Sequence, residues 1–133
     1  MYLLDTNACI RILNDSSPAL VQRLASHAPS EIRLCSIVKA ELIYGARHSQ
    51  QIEENLKLLA CFFAPFVSLP FNDRCAEQYG QIRAGLALAG ALIGPNDPLI
   101  AAIARAYDLT LVTHNVEEFG RVTDLRLEDW EIE

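Results

Sequence analysis

The sequence lacks the marks of several common protein classes. No run is long and unbroken enough to span a bilayer. The most apolar stretch, Leu58 to Phe71, is interrupted by Pro65, Ser68 and Pro70. Met1-Tyr2-Leu3-Leu4-Asp5 has no basic segment ahead of its apolar residues, so no signal peptide is read and a cytoplasmic location is expected. No Gly/Ser linker, low-complexity run or internal repeat divides the chain, and a single domain over residues 1–133 is expected. The four cysteines, Cys9, Cys35, Cys61 and Cys75, are too widely scattered for a zinc pair. Each has apolar neighbours and reads as a small core residue of a reduced protein. No glycine loop of the phosphate- or dinucleotide-binding kind is present.

What is present is enough apolar material for a core, 51% of the residues, which excludes a disordered chain. The net charge of −6 argues against a broad nucleic-acid-binding face but leaves room for a local one. Nine of the eleven basic residues are arginine, the better phosphate fork. A divalent cation can also bridge an acidic protein to a polyanion.

Apolar runs and turn signals alternate along the chain. Strands are expected at Tyr2 to Leu4, Ile32 to Cys35, Phe66 to Leu69 and Leu109 to Thr113, with a fifth at Leu125 to Leu127. Helical patterns cover Ala8 to Leu13, Ala19 to Ser26, Ile37 to Arg47, Gln51 to Phe63, Asn72 or Asp73 to Ala89, and Asp97 to Tyr107. Ser16-Ser17-Pro18 and Ser36 read as helix starts. Strands separated by helices imply an α/β fold, a mostly parallel sheet of four to five strands with helices on both faces. In such sheets, sites form beyond the carboxyl ends of the strands.

Three carboxylates stand out by context. Asp5 ends the first strand. Glu41 lies within a helix, with Ile37, Val38, Tyr44 and Gly45 one turn away on either side. Asp97 sits between Gly94-Pro95-Asn96 and Pro98, ahead of an apolar helix. Asp5 and Asp97 each have a plain alternative as helix caps. Glu41 needs a partner, because a lone charge on an apolar face is costly. Clustered carboxylates repel unless a cation neutralises them. Hard oxygen ligands suit Mg²⁺ or Mn²⁺.

The segments "LLDTN" (3–7), "SIVKAELIYGA" (36–46), "IGPNDPLIAAIA" (93–104), "LVTHNVEEFGRV" (111–122) and "DLRLEDW" (124–130) stand in an order that resembles the PIN-domain ribonucleases. Within them, it resembles the VapC-type toxins of bacterial toxin–antitoxin pairs. The resemblance implies a PIN-like three-layer sandwich and a metal-dependent endoribonuclease acting on structured RNA, often tRNA. It implies Asp5, Glu41 and Asp97 as the catalytic acids, with Asp5 and Asp97 as ligands of Mg²⁺ or Mn²⁺. Thr6, Thr113 and Asn115 are expected to bind water or phosphate. Many relatives have a fourth acid just after the fourth strand; Asn115 takes that place, with Glu117 or Glu118 next in line. A VapB-type antitoxin is the implied partner, in a homodimer and a larger toxin–antitoxin assembly with no membrane contact.

His114 reads as a solvated loop residue or a phosphate contact. Arg11, Arg47, Arg83 and Arg121 are candidate phosphate contacts. Two other readings compete. A phospho-accepting receiver domain needs a lysine after a late strand, and Lys39 and Lys57 both lie in helical patterns. A catalytically inactive binding module of the same fold would keep the acids without the chemistry.

Overall fold

The short central strand β1 (Tyr2–Leu4) fixes the layout. The computed structural model describes residues 1–132; Glu133, counted in the single-domain expectation, lies outside the described residues. Leu3 and Leu4 are fully buried, so β1 is covered on both faces, as a parallel sheet with helices on each side requires. After it come α1 (Thr6–Leu13), α2 (Pro18–Ala25), a 3₁₀ turn (Pro29–Glu31), β2 (Ile32–Cys35), α3 (Ser36–Arg47), α4 (Ile52–Phe63) and β3 (Val67–Leu69). The second half holds α5 (Asp73–Leu88), α6 (Asp97–Ala106), β4 (Thr110–Val112), α7 (Val116–Phe119) and β5 (Leu127–Glu128).

The five strands run in the order β3-β2-β1-β4-β5, and every pairing is parallel. β1 pairs with β2 through Tyr2 and Ile32, and with β4 through Leu4 and Val112. The chain builds outward from β1 through β2 to β3, then crosses back to β4 on the other side. Strand order therefore switches at β1, and in such sheets sites form beyond the carboxyl ends of the strands at that point.

α6 is the most deeply buried helix: Pro98, the run Ile100 to Ala104, and Ala106 are all inside. Its alanines let α5 pack closely along it. That burial fixes the position of Asp97, its first residue.

Several expectations are corrected. Cys9, Cys35 and Cys75 are core residues, but Cys61 is exposed, because it falls on the outer face of amphipathic α4. Ser36 does not cap α3; Cys35 holds the cap position with no side-chain bond, and Ser36 is already helical. The fifth strand is Leu127–Glu128 rather than residues 125–127.

Candidate active site at the carboxyl edge of the sheet

Asp5 follows β1 directly. Its N–H donates to the Val112 carbonyl at 3.1 Å, carrying the ladder one residue past the strands. Its Oδ1 accepts from the Ala8 N–H at 2.8 Å and caps α1. The Thr113 hydroxyl also donates to it. The residue is only 4% exposed. Burial raises its pKa; the Thr113 and Ala8 donors and the Arg11 charge oppose that, and the Glu131 charge adds to it. Thr113 is 1% exposed, and its oxygen accepts from the Asn115 N–H at 3.0 Å. It is placed to hold Asp5 and shape the loop.

Glu41 projects from the second turn of α3. Its Oε1 accepts from the Thr6 hydroxyl at 2.8 Å, which ties α3 to the start of α1. This supplies the polar partner that a carboxylate on that face needs.

Asp97 is held differently. It is the first residue inside α6, and Asn96 before it makes no capping bond with its side chain. The Asp97 N–H donates to the Gly94 carbonyl at 3.1 Å, forming a turn. A Cβ on Gly94 would lie 3.2 Å from Asp97 Oδ2, so the glycine makes room for the carboxylate. The Asp97 pKa is pushed up to about 6, by burial first and then by the charges of Glu118, Glu41 and Asp5. All four influences act in the same direction. They bring the three sequence-identified acids and Glu118 into one electrostatic neighbourhood.

Of the two acids next in line, Glu117 and Glu118, it is Glu118 that Asn115 positions. The Asn115 Oδ1 accepts from the Glu118 N–H at 3.4 Å, and its Nδ2 donates to Glu118 Oε2 at 2.6 Å. The amide expected to meet water or phosphate is thus engaged with an acid one turn on. The signal was in the sequence: Asn115-Val116-Glu117-Glu118 has the Asn-x-x-Glu spacing of a reciprocal helix cap.

A second polar cluster lies at the same edge. His114 Nδ1 and Asp129 Oδ2 are 2.9 Å apart. Asp129 Oδ1 accepts from the Glu131 N–H at 2.9 Å, and Glu131 pairs with Arg11 at 3.2 Å. Among the described residues, only His114, Asp129 and Glu131 bring three metal-capable ligand atoms within 4.8 Å of one another. The oxygens of Asp5, Glu41, Asp97 and Glu118 are more widely spaced. Charge distinguishes the two. In the compact trio, Arg11 offsets Glu131 and both Asp129 oxygens have partners. In the wider set, the donors are all hard oxygens with like charges unmatched at Asp97. That set fits a hard cation that keeps several of its waters and spans longer gaps.

Comparison with known proteins agrees with the geometry. The family model described as "PIN domain" matches residues 2–125. The chain is 39% identical to the Ribonuclease VapC2 of Rickettsia felis over 132 residues, covering 98% of each. It is 40% identical to the tRNA(fMet)-specific endonuclease VapC of Shigella flexneri over 129 residues, covering 97% of each. A crystal structure of VapBC2 from Rickettsia felis, bound to a DNA fragment from their promoter, contains a chain that superposes with a TM-score of 0.91. That chain is 38% identical, with 97% of this chain and 98% of that one covered. Fold, acidic cluster and likeness together define an α/β nuclease. The chain belongs to the PIN-domain family and, within it, to the VapC ribonucleases. PIN-domain nucleases generally use a divalent metal, and the oxygen donors here fit one. No helix among the described residues is long and apolar enough to cross a membrane.

Proposed function

We propose that this chain is an endoribonuclease toxin that hydrolyses phosphodiesters of structured RNA, with tRNA as the substrate class, and is silenced by a VapB-type antitoxin. The observation that carries this reading is the Asp97 carboxylate. It is held at the switch point of the sheet and raised to about 6 by burial, Glu118, Glu41 and Asp5. A cation is the missing complement. Asp5 and Asp97 would hold Mg²⁺ or Mn²⁺, with Glu41 and Glu118 facing its waters. When bound, the cation polarises the scissile phosphate and lowers the pKa of a coordinated water.

The chain's own residues supply the positioning. The Ala8 N–H and Thr113 hydroxyl fix Asp5. Thr6 holds Glu41 Oε1 and leaves Oε2 to accept a hydrogen bond from the attacking water. Asn115 holds Glu118. Hydrolysis would leave a 3′-hydroxyl and a 5′-phosphate.

The inhibitor has a matching surface. A groove of about 340 Å³ between α1, α3 and α4 is lined by Ile10, Leu13, Leu42, Leu58 and Leu59 and reaches Glu41. An antitoxin segment with an apolar face would fill it, and an arginine at its end would set a guanidinium in the cation's place. Leu88 and Leu92, exposed before the Asp97 loop, offer apolar surface for a second copy in the homodimer and the larger assembly. The receiver reading loses its lysine: Lys39 lies against the Phe63 ring, 4.7 Å from its centroid, and Lys57 is in α4.

The test is incubation of antitoxin-free protein with total cellular RNA, with and without Mg²⁺, followed by sequencing of new 5′ ends. Discrete ends are expected only with the cation. Their absence in both arms would favour an inactive binding module of the same fold.

A further inference from the structure

A chain of net charge −6 gains little from long-range attraction to a polyanion. Affinity for RNA then has to come from local contacts. Base stacking is one that net charge leaves untouched, because every base offers a π face to an aromatic ring. α3 exposes such a ring one turn from Glu41. Tyr44 is 68% exposed and lies nearly parallel to His48, with centroids 5.5 Å apart and planes 10° from parallel.

Glu41, Tyr44 and His48 are spaced i, i+3 and i+7, so they form one stripe along the helix. Helical side chains lean toward the N-terminus, which carries the Tyr44 ring over the turn that bears Glu41. The apolar groove opens on the other flank of Glu41, past Leu42, Gly45 and Ala46. Ledge and groove therefore diverge from the same carboxylate.

The arginines add a second observation. Of the four candidates for phosphate contact, Arg11 pairs with Glu131, Arg83 bonds the Tyr79 hydroxyl, and Arg121 bonds the Leu92 carbonyl. Among the described residues, the Arg47 side chain has no hydrogen-bond or ion-pair partner. It is exposed and stands one turn from Tyr44. An aromatic stack flanked by a free guanidinium complements a nucleotide, a base plus a phosphate.

We propose that Tyr44, backed by His48, is a stacking ledge for one unpaired nucleobase next to the scissile phosphate, with Arg47 on the adjoining phosphate. This rests on the RNA-cleaving reading and adds a substrate subsite to it.

The test is fluorescence anisotropy with a short labelled single-stranded RNA and an abasic oligomer of equal length, on the Asp97→Asn background to prevent cleavage. Tyr44→Ala is expected to weaken RNA binding by roughly five- to a hundredfold, and Tyr44→Phe to retain it. The abasic oligomer is expected to bind weakly and equally to both proteins. Arg47→Ala is expected to lower the salt slope by about one. With Asp97 restored, Tyr44→Ala is expected to raise KM and leave kcat nearly unchanged. Unchanged RNA affinity in Tyr44→Ala would overturn the ledge. So would a changed oligomeric mass at unchanged RNA affinity, which would assign the ring to a protein interface. Loss of RNA binding in Tyr44→Ala, in a protein whose parent cuts no RNA, would support the ledge while refuting the cleavage reading.

Discussion

Two acidic clusters share the carboxyl edge of the sheet, and they are built on opposite plans. His114, Asp129 and Glu131 are tightly packed and internally satisfied: Arg11 answers Glu131, and the Asp129 oxygens bond His114 and the Glu131 N–H. Asp5, Glu41, Asp97 and Glu118 are farther apart. Three of the four are tethered, by Ala8 and Thr113, by Thr6 and by Asn115, and Asp97 answers only to like charges. Close spacing alone would select the first as the metal centre. The proposed function rests on the second, by charge balance. A cluster that is already neutralised closes the C-terminal segment onto α1, whereas one left short of positive charge is poised for a cation.

The largest expected effect is on cleavage. Asp97→Asn should lower the rate on RNA by about a thousandfold or more, since several kcal/mol of charge stabilisation go with the cation. Asp129→Asn should stay within about tenfold of wild type, the low end for an outlying partner. Equal losses in a single-turnover assay would erase the distinction between the clusters.

Next comes Asn115. Asn115→Ala frees Glu118 and should slow cleavage by roughly ten- to a hundredfold, the size typical of a lost supporting partner. Asn115→Asp should do no better. It removes the Nδ2 donor and places a charge against Glu118, so it should not tighten metal binding. A lower Mn²⁺ requirement for Asn115→Asp would place residue 115 itself at the metal.

Stability should separate the clusters by sign. In chelator, Asp97→Asn should raise the melting temperature because repulsion is relieved. Asp129→Asn should lower it because a clasp is broken. A fall for both would mean that Asp97 has a structural partner.

The smallest effect is the pH dependence of that stability. The folded pKa of Asp97, about 6, lies above its unfolded value near 3.8. Between those values the folded state holds more protons than the unfolded one, so metal-free stability should fall as pH rises through the window and level off above it. Asp5, raised in the same direction, reinforces the trend. Asp97→Asn should flatten the curve measured by thermal melts. An equally steep curve in the variant would move the titration elsewhere.

Much of this was legible in the sequence where short-range pattern decides the outcome. The βα alternation and the apolar run after Asp97 gave the sheet and the buried helix. Asp5, Glu41 and Asp97 could be chosen because strand ends and an apolar helical face make carboxylates conspicuous. The misses have physical causes. Glu118 stood only behind Asn115, level with Glu117, because a strand-end pattern stops at Asn115 and only the bonds between the Asn115 and Glu118 side chains and backbone carry Glu118 back. The His114–Asp129 clasp joins residues fifteen apart that meet only when β5 pairs with β4. The Tyr44 ring sits among apolar neighbours in sequence, and tertiary packing leaves it in solvent.

The proposed function makes the wider, unneutralised cluster the cation site. Calorimetric titration of Mn²⁺ into the metal-free wild type, Asp97→Asn and Asp129→Asn tests it most directly. The expected result is binding to wild type and Asp129→Asn, with the signal lost in Asp97→Asn. Binding retained in Asp97→Asn and lost in Asp129→Asn would contradict the account and move the metal to His114, Asp129 and Glu131.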